Sequence, residues 1–386
     1  MKKFLLFIIL VFSIKSVAQN IEKTIVLLDA DSKVPIQDAT VLVLRSKQIL
    51  LSNAEGKLVF VLNSPSNIQI SHSAYADISV RSSSLKEKET IFYLKSTVNE
   101  LDEIILTRQH PQKILKKLVE NSIDKLTVPA RLQVYEREFF KLNGLYSYFN
   151  DGLMNFQILD KKNLYNTDIL VEQNRSYGLV DKEISNELLG YNLNNIIGNY
   201  YSFKYLEPLL TKNALKQYDF IVKGYGDNDN YYLMKVYPNE NAKGLLDDYT
   251  IIYDTKKKLI IEASSILSPR VVVKGIDKIQ ATSRQVYESF FKTIYKIDGP
   301  NYYLISSREE IGFERVSKKK STYIEVKNSF VVTNFSNRFF THKETDVFKD
   351  QTMFNKSNVI FNNYWDISGL SPTEEEQEII NKIIEK

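Results

Sequence analysis

Apolar and polar positions alternate in short runs from residue 21 to residue 106, reading TIVLLDADSKVPIQDATVLVL, SNAEGKLVFVL, NIQISHSAYADISV, IFYLK and LDEIIL. Each run is bounded by turn residues, which is the pattern of a small all-β module. Pro35-Ile36 leads into a buried strand over 39–44, and Asn53-Ala54-Glu55-Gly56 forms a turn in which Gly56 supplies the unusual backbone dihedral. Residues 82–88 are a polar connection before a strand at 91–94. The period then changes. In PQKILKKLVENSIDKL, Ile114, Leu115, Leu118, Val119, Ser122 and Ile123 recur at helical spacing behind Pro111, which suits a first turn, and Val128-Pro129 ends the run. This predicts a helix packed on the sheet that follows.

From Leu132 to Arg338 the chain returns to strands, now longer: QVYEREFFKL, GLYSYFNDGLMNFQI, YDFIVKGYG, NYYLMKVYP, DYTIIYD, LIIEASSIL, RQVYESFFKTIYKI, NYYLISSREEIGF and STYIEVKNSFVVTNF. Residues 227–230 and 254–258 are expected as hairpin connections. Residues 179–210 interrupt the pattern with short helices that Pro208 is expected to stop. The tail SPTEEEQEIINKIIEK predicts a helix capped by Ser371 or Thr373, with acids in its first turn. The chain is therefore expected to be mainly β (α+β): a signal segment (1–18), an N-terminal β-sandwich (19–106), a linker helix (107–130) and a larger antiparallel curved-sheet domain (131–386). A helical insertion and a C-terminal helix complete the second domain.

The first residues change the compartment. Lys2 and Lys3 precede an apolar core at 4–14 too short to span a bilayer, and Ser16-Val17-Ala18 predicts cleavage before Gln19. The chain has no cysteine. That closes the lipoprotein route and leaves the exported domains to hold by core packing without disulfides. Losing Lys2, Lys3 and Lys15 takes the formal charge from +4 to +1, which gives no reason to expect nucleic acid or broad attraction to anionic membranes. No later apolar run reaches 18 residues, so no transmembrane span is expected after signal cleavage.

Asp29, Pro35-Ile36-x-x-Ala39-x-Val41, Ser52-x-x-x-Gly56-x-Leu58, His72-x-x-Tyr75 and Leu101-Asp102-Glu103-Ile104 together resemble the carboxypeptidase regulatory-like domain. The sequence departs from that pattern at Ala74, where the family often has Gly, and at Ser52, where Thr is commoner. The resemblance implies a transthyretin-like β-sandwich of the kind found at the N-terminus of secreted and outer-membrane proteins of Bacteroidetes, including TonB-dependent receptors. The pattern of the long strands is similar to the LolA-like periplasmic lipoprotein-carrier shape. Neither resemblance specifies chemistry.

His72, His110 and His342 are the only histidines, and none has the spaced partner a zinc peptidase needs. Asp227-Asn228-Asp229-Asn230 lacks the downstream ligands of a calcium loop. Asp247-Asp248 and Glu309-Glu310 are adjacent acids on strands, where neighbours point to opposite faces. Lys256–Lys258 and Lys318–Lys320 read as solvated turns, and no Gly-x-Ser-x-Gly elbow exists. No residue is assigned as catalytic, cofactor-binding or metal-binding. The 24 tyrosines and 21 phenylalanines are expected as core and cross-strand pairs, or as the lining of a concavity, and Trp365 as an anchor for the last helix. The lead reading is a non-enzymatic cell-envelope protein, periplasmic or outer-membrane associated, whose sandwich and scaffold domain bind an envelope protein partner. A carrier holding a hydrophobic ligand in a curved-sheet cavity is the alternative, and an unrecognised enzyme the third.

Overall fold

A computed structural model describes residues 21–97, 104–162, 165–178, 192–225, 230–269, 276–279, 282–317, 320–354, 356–367 and 369–385. The export segment (1–18), the Leu101-Asp102-Glu103 motif, the irregular stretch at 179–191, most of the 227–230 loop, and Lys318 and Lys319 lie outside the described residues.

The short N-terminal strands form two sheets. β1 (Ile21–Asp29) lies between β4 (Lys57–Leu62), antiparallel, and β7 (Glu89–Leu94), parallel. β2 (Thr40–Val43) lies between β3 (Gln48–Leu51) and β5 (Asn67–His72), with β6 (Tyr75–Arg81) outside β5. Alternate residues turn inward, so Ile25, Leu27, Val41, Leu58, Phe60 and Ile70 close a core of their own. Gly56 takes φ +70° with Leu27 O only 2.4 Å from where a Cβ would stand, so a side chain is excluded there on both counts.

The second sheet is large, curved and antiparallel. β8 (Ala130–Leu142), β9 (Leu145–Ile158) and β10 (Thr167–Gly178) form one meander. β11 (Tyr218–Gly224), β12 (Tyr231–Pro238), β13 (Asp247–Asp254), β14 (Leu259–Leu267), β16 (Thr282–Asp298), β17 (Asn301–Ser317) and β18 (Lys320–Ser336) form another, and β15 (Ile276–Ile279) pairs with β16. Antiparallel pairing of β8 with β18 joins the meanders into one sheet. β10 and β15 were not anticipated. β10 reads as polar because it buries Gln173, Asn174 and Arg175 instead of an apolar face.

Helices cover one face of this sheet. α1 (Pro111–Lys125) buries Leu115, Leu118 and Val119, and its Ser122 hydroxyl accepts a bond from Ile260 N at 3.0 Å. α2 (Leu193–Tyr201) buries Ile196, Ile197, Tyr200 and Tyr201. The expectation that Pro208 stops the insertion is corrected. Pro208 sits in the first turn of α3 (Glu207–Leu210), where a missing N–H costs nothing, and helical structure continues to α4 (Ala214–Gln217).

The sandwich and the C-terminal helix cover the opposite face. Ile49 and Leu51 of β3 join the main core, and Leu51 pairs with Leu370. In α5 (Glu374–Ile384) the cap is Thr373, closed by a reciprocal bond with Glu376, while Ser371 accepts from Val59 N instead. Ile379, Ile380 and Ile383 of α5 pack on Phe139 and Phe149. The expected role of Trp365 is corrected: its ring lies over Arg175 at 4.2 Å and beside Tyr364, so it fastens the segment before α5 to the sheet. No helix of the described residues is long and apolar enough to cross a membrane.

Candidate functional site

Cross-strand partners share a face, so the register sorts side chains into transverse rows. One row crosses eight strands in the order Tyr249, Ser265, Phe291, Glu309, Asn328, Glu138, Asn150 and Ser176. It lies on the helical face, because Glu309 Oε1 accepts bonds from Tyr200 of α2 (2.8 Å) and from Tyr205 (2.6 Å). The five members from Tyr249 to Asn328 line a cleft of about 750 Å³ between the sheet and the segment joining α2 to α3.

The walls of the cleft are mostly apolar. Tyr205 stacks on Phe291 with centroids 3.9 Å apart, and Ile311, Phe313 and Val326 continue the surface. Ile311 is 41% exposed within this surface. Three acids, Glu207, Asp247 and Glu309, line the cleft against one base, Lys204, while the carboxylate of Glu310 turns away to Arg308 and Lys327. Burial raises the pKa of Glu309 above the ordinary carboxylate value, although the two tyrosine bonds favour its charged form. Burial also raises Asp247, which accepts from Ser265 Oγ at 3.3 Å. Much of the helical face beyond the cleft is filled by aromatic packing, including Phe156, Tyr200 and Phe330.

The neighbouring row, one residue along each strand, lies on the sandwich face: Thr250, Ser264, Lys292, Arg308, Ser329, Arg137, Asp151 and Arg175. Its cations all have acids. Lys292 reaches Asp38 (3.1 Å) and Glu262 (3.2 Å), Arg308 lies 3.9 Å from Asp38, and Arg137 reaches Glu376 (3.0 Å). Arg175 forks onto Asp151 (2.9 and 2.8 Å), which also accepts from the Tyr135 and Tyr364 hydroxyls. A gap of about 330 Å³ beside α5 is lined by several of these charges, and one of about 480 Å³ beneath the sandwich by His72, Tyr75, Asp77 and Lys296.

The three histidines do not converge. His72 Nδ1 accepts from Ala74 N, His110 caps α1 by accepting from Gln112 N, and His342 Nε2 lies 3.0 Å from Asp168. Asp254 Oδ1 accepts from Lys256 N and Lys257 N, so that basic run is a turn as expected. Of the adjacent acids, Glu309 turns to the helices and Glu310 to Arg308 and Lys327. Sequence reading treated these acids as poor pairs and missed that Asp247 and Glu309, distant in the chain, line one cleft. A mid-strand isoleucine among acids (REEIGF) was the available signal.

No protein-family model matches the sequence, and no curated protein matches it. Among solved structures, lipovitellin, described for its lipid–protein interactions, is similar at 9% identity with a TM-score of 0.26, covering 56% of this chain and 26% of its own. A DUF1329 family protein from Desulfovibrio piger aligns at 10% identity and a TM-score of 0.23, over 58% of this chain and 94% of its own. A LolA superfamily protein from Nitrosomonas europaea aligns at 8% identity and a TM-score of 0.19, over 59% of this chain and 97% of its own.

Proposed function

We propose that this protein is a non-enzymatic binder of an apolar ligand, which it holds in the cleft between the curved sheet and its helical insertion. The observation that carries the reading is the cleft itself: about 750 Å³, walled by Tyr205, Phe291, Phe313 and Val326, with Asp247, Glu309 and Asn328 as polar groups on its sheet side. This puts the carrier reading ahead of the protein scaffold. The sandwich then serves as a plinth, tied to the sheet by the Asp38–Lys292 bridge and the Ser73 hydroxyl bond to Glu262, and we assign it to the carboxypeptidase regulatory-like type on its sequence pattern. Export to the cell envelope follows from the N-terminal segment as part of the same proposal.

The test is to purify the protein from its native envelope, extract it with organic solvent and identify bound molecules by mass spectrometry. A stoichiometric amphiphile is expected. In parallel, Val326→Trp should fill the cleft and reduce binding of N-phenyl-1-naphthylamine at least fivefold in a fluorescence titration. Unchanged probe binding, with no ligand extracted, would sink the carrier reading.

A further inference from the structure

Two acceptors of the helical-face row, the Oδ1 atoms of Asn328 and Asn150, have nothing to accept from among the described residues. Asn328 is 6% exposed and lines the cleft, and its Oδ1 has no hydrogen-bond partner among the described residues. Directly across from it on one side is Glu309, and on the other Glu138. Asn150 next in the row gives its Nδ2 to Glu138 Oε1 (3.2 Å) and leaves its own Oδ1 without a partner among the described residues. The adjoining row on the same face, Ser307, Phe330, Glu136, Gly152 and Asn174, adds Glu136 Oε2 and Asn174 Oδ1 in the same condition. No lysine or arginine occupies either row. Of these groups Asn328 is the one that lines the cleft, beside the acids Glu207, Asp247 and Glu309, and a buried acceptor left unsatisfied there is costly, which calls for a donor from outside the chain.

We infer that the ligand's polar end is a protonated amine, seated between Glu309 and Asn328 with its alkyl chain along Phe291, Phe313 and Val326. This rests on the cleft reading above and names the ligand class. An ammonium brings three N–H donors and a positive charge to a surface that offers acceptors and acids. A carboxylate or phosphate brings only acceptors and would meet Glu207, Asp247 and Glu309 with like charge. An alcohol brings one donor and no charge. A metal ion fits less well, since among the described residues no three His, Cys, Asp or Glu side chains form a group that could hold one.

The experiment compares four ligands sharing a dodecyl chain, titrated calorimetrically into the full chain at pH 7, where an alkylamine is protonated as lysine is. These are dodecylamine, dodecyltrimethylammonium, dodecanol and dodecanoate. Dodecylamine is expected to bind at least tenfold more tightly than dodecanoate and several-fold more tightly than the trimethylammonium. Glu309→Gln should bring the amine-to-carboxylate ratio below threefold. Asn328→Leu should weaken the amine while leaving dodecanol within twofold, and provides a second variant if Glu309→Gln fails to fold by near-UV circular dichroism. Dodecanoate binding as tightly as dodecylamine would overturn the amine assignment and leave the cleft reading standing. Equal binding of the trimethylammonium would show that the acceptors are not used, and would overturn their role. No binding of any of the four would remove the cleft reading as well.

Discussion

Lys292, Arg308, Arg137, Asp151 and Arg175 lie one residue along from Phe291, Glu309, Asn328, Glu138 and Asn150 on the same five strands, yet the two rows do opposite things. In the sandwich-face row Lys292, Arg308, Arg137 and Arg175 each meet an acid supplied by the sandwich, by α5 or by the sheet itself. On the helical face the acids meet tyrosine, serine and amide donors and no lysine or arginine of their own row, while the Oδ1 atoms of Asn328 and Asn150 have no partner among the described residues. Removing one partner of a buried ion pair leaves the other charge to bear its desolvation cost. An unmatched acceptor already bears its cost in the free protein, and a ligand can relieve it. The difference separates groups that hold the layers together from groups available for binding.

The strongest way to break this contrast is Asp151→Ala. It strands the Arg175 guanidinium and two tyrosine hydroxyls in a buried site, so a loss of about 3–5 kcal/mol is expected, read as a lower urea midpoint. Asn328→Leu should act in the opposite direction. Replacing an unsatisfied acceptor by an apolar side chain of similar size is expected to raise stability by about 1–3 kcal/mol in the same assay while weakening amine binding. A loss of stability in this variant would show that the row is structural.

Smaller effects test how the covering layers are attached. Thr373→Ala removes the cap of α5 and should cost about 1 kcal/mol, seen as faster hydrogen exchange in the first turn of that helix. The smallest effect concerns His72. Burial and then Lys292 lower its pKa below the ordinary 6.5, with Glu262 and Asp38 opposing. The unfolded chain therefore takes up the proton first as the pH falls through 6.5, and stability should decline from there until the lower folded value is passed. His72→Gln should flatten the stability profile over that window relative to the parent. An unchanged slope would assign the acid sensitivity to other groups.

Much of the fold was legible because alternation is a local property. The strands from QVYEREFFKL to STYIEVKNSFVVTNF, the Pro111 helix and the Thr373 cap each follow from spacing within a few residues. β10 escaped because its buried side chains are Gln173, Asn174 and Arg175, whose burial depends on partners elsewhere, such as Asn362 and Asp151. Pro208 was misjudged because a proline is compatible with either end of a helix, and the preceding chain decides which. Trp365 is expected from the sequence to dock the last helix, but the group its ring packs on, Arg175, lies in another part of the sequence.

The candidate site was less legible. Glu309 and Glu310 were seen to point apart, yet nothing in SREEIGF tells which of them meets tyrosines and which meets Arg308. By itself the sequence determined the mainly β character, the two-part order of short and then long strands, and the positions of the terminal and linker helices. Only the tertiary structure decided which strands lie side by side, because register is set by pairing across the whole sheet and not by neighbours in the chain. The same register put Asp151 opposite Arg175 on one face and Glu309 opposite Asn328 on the other. A face crossed by residues from eight strands acquires its chemistry only when those strands are brought together.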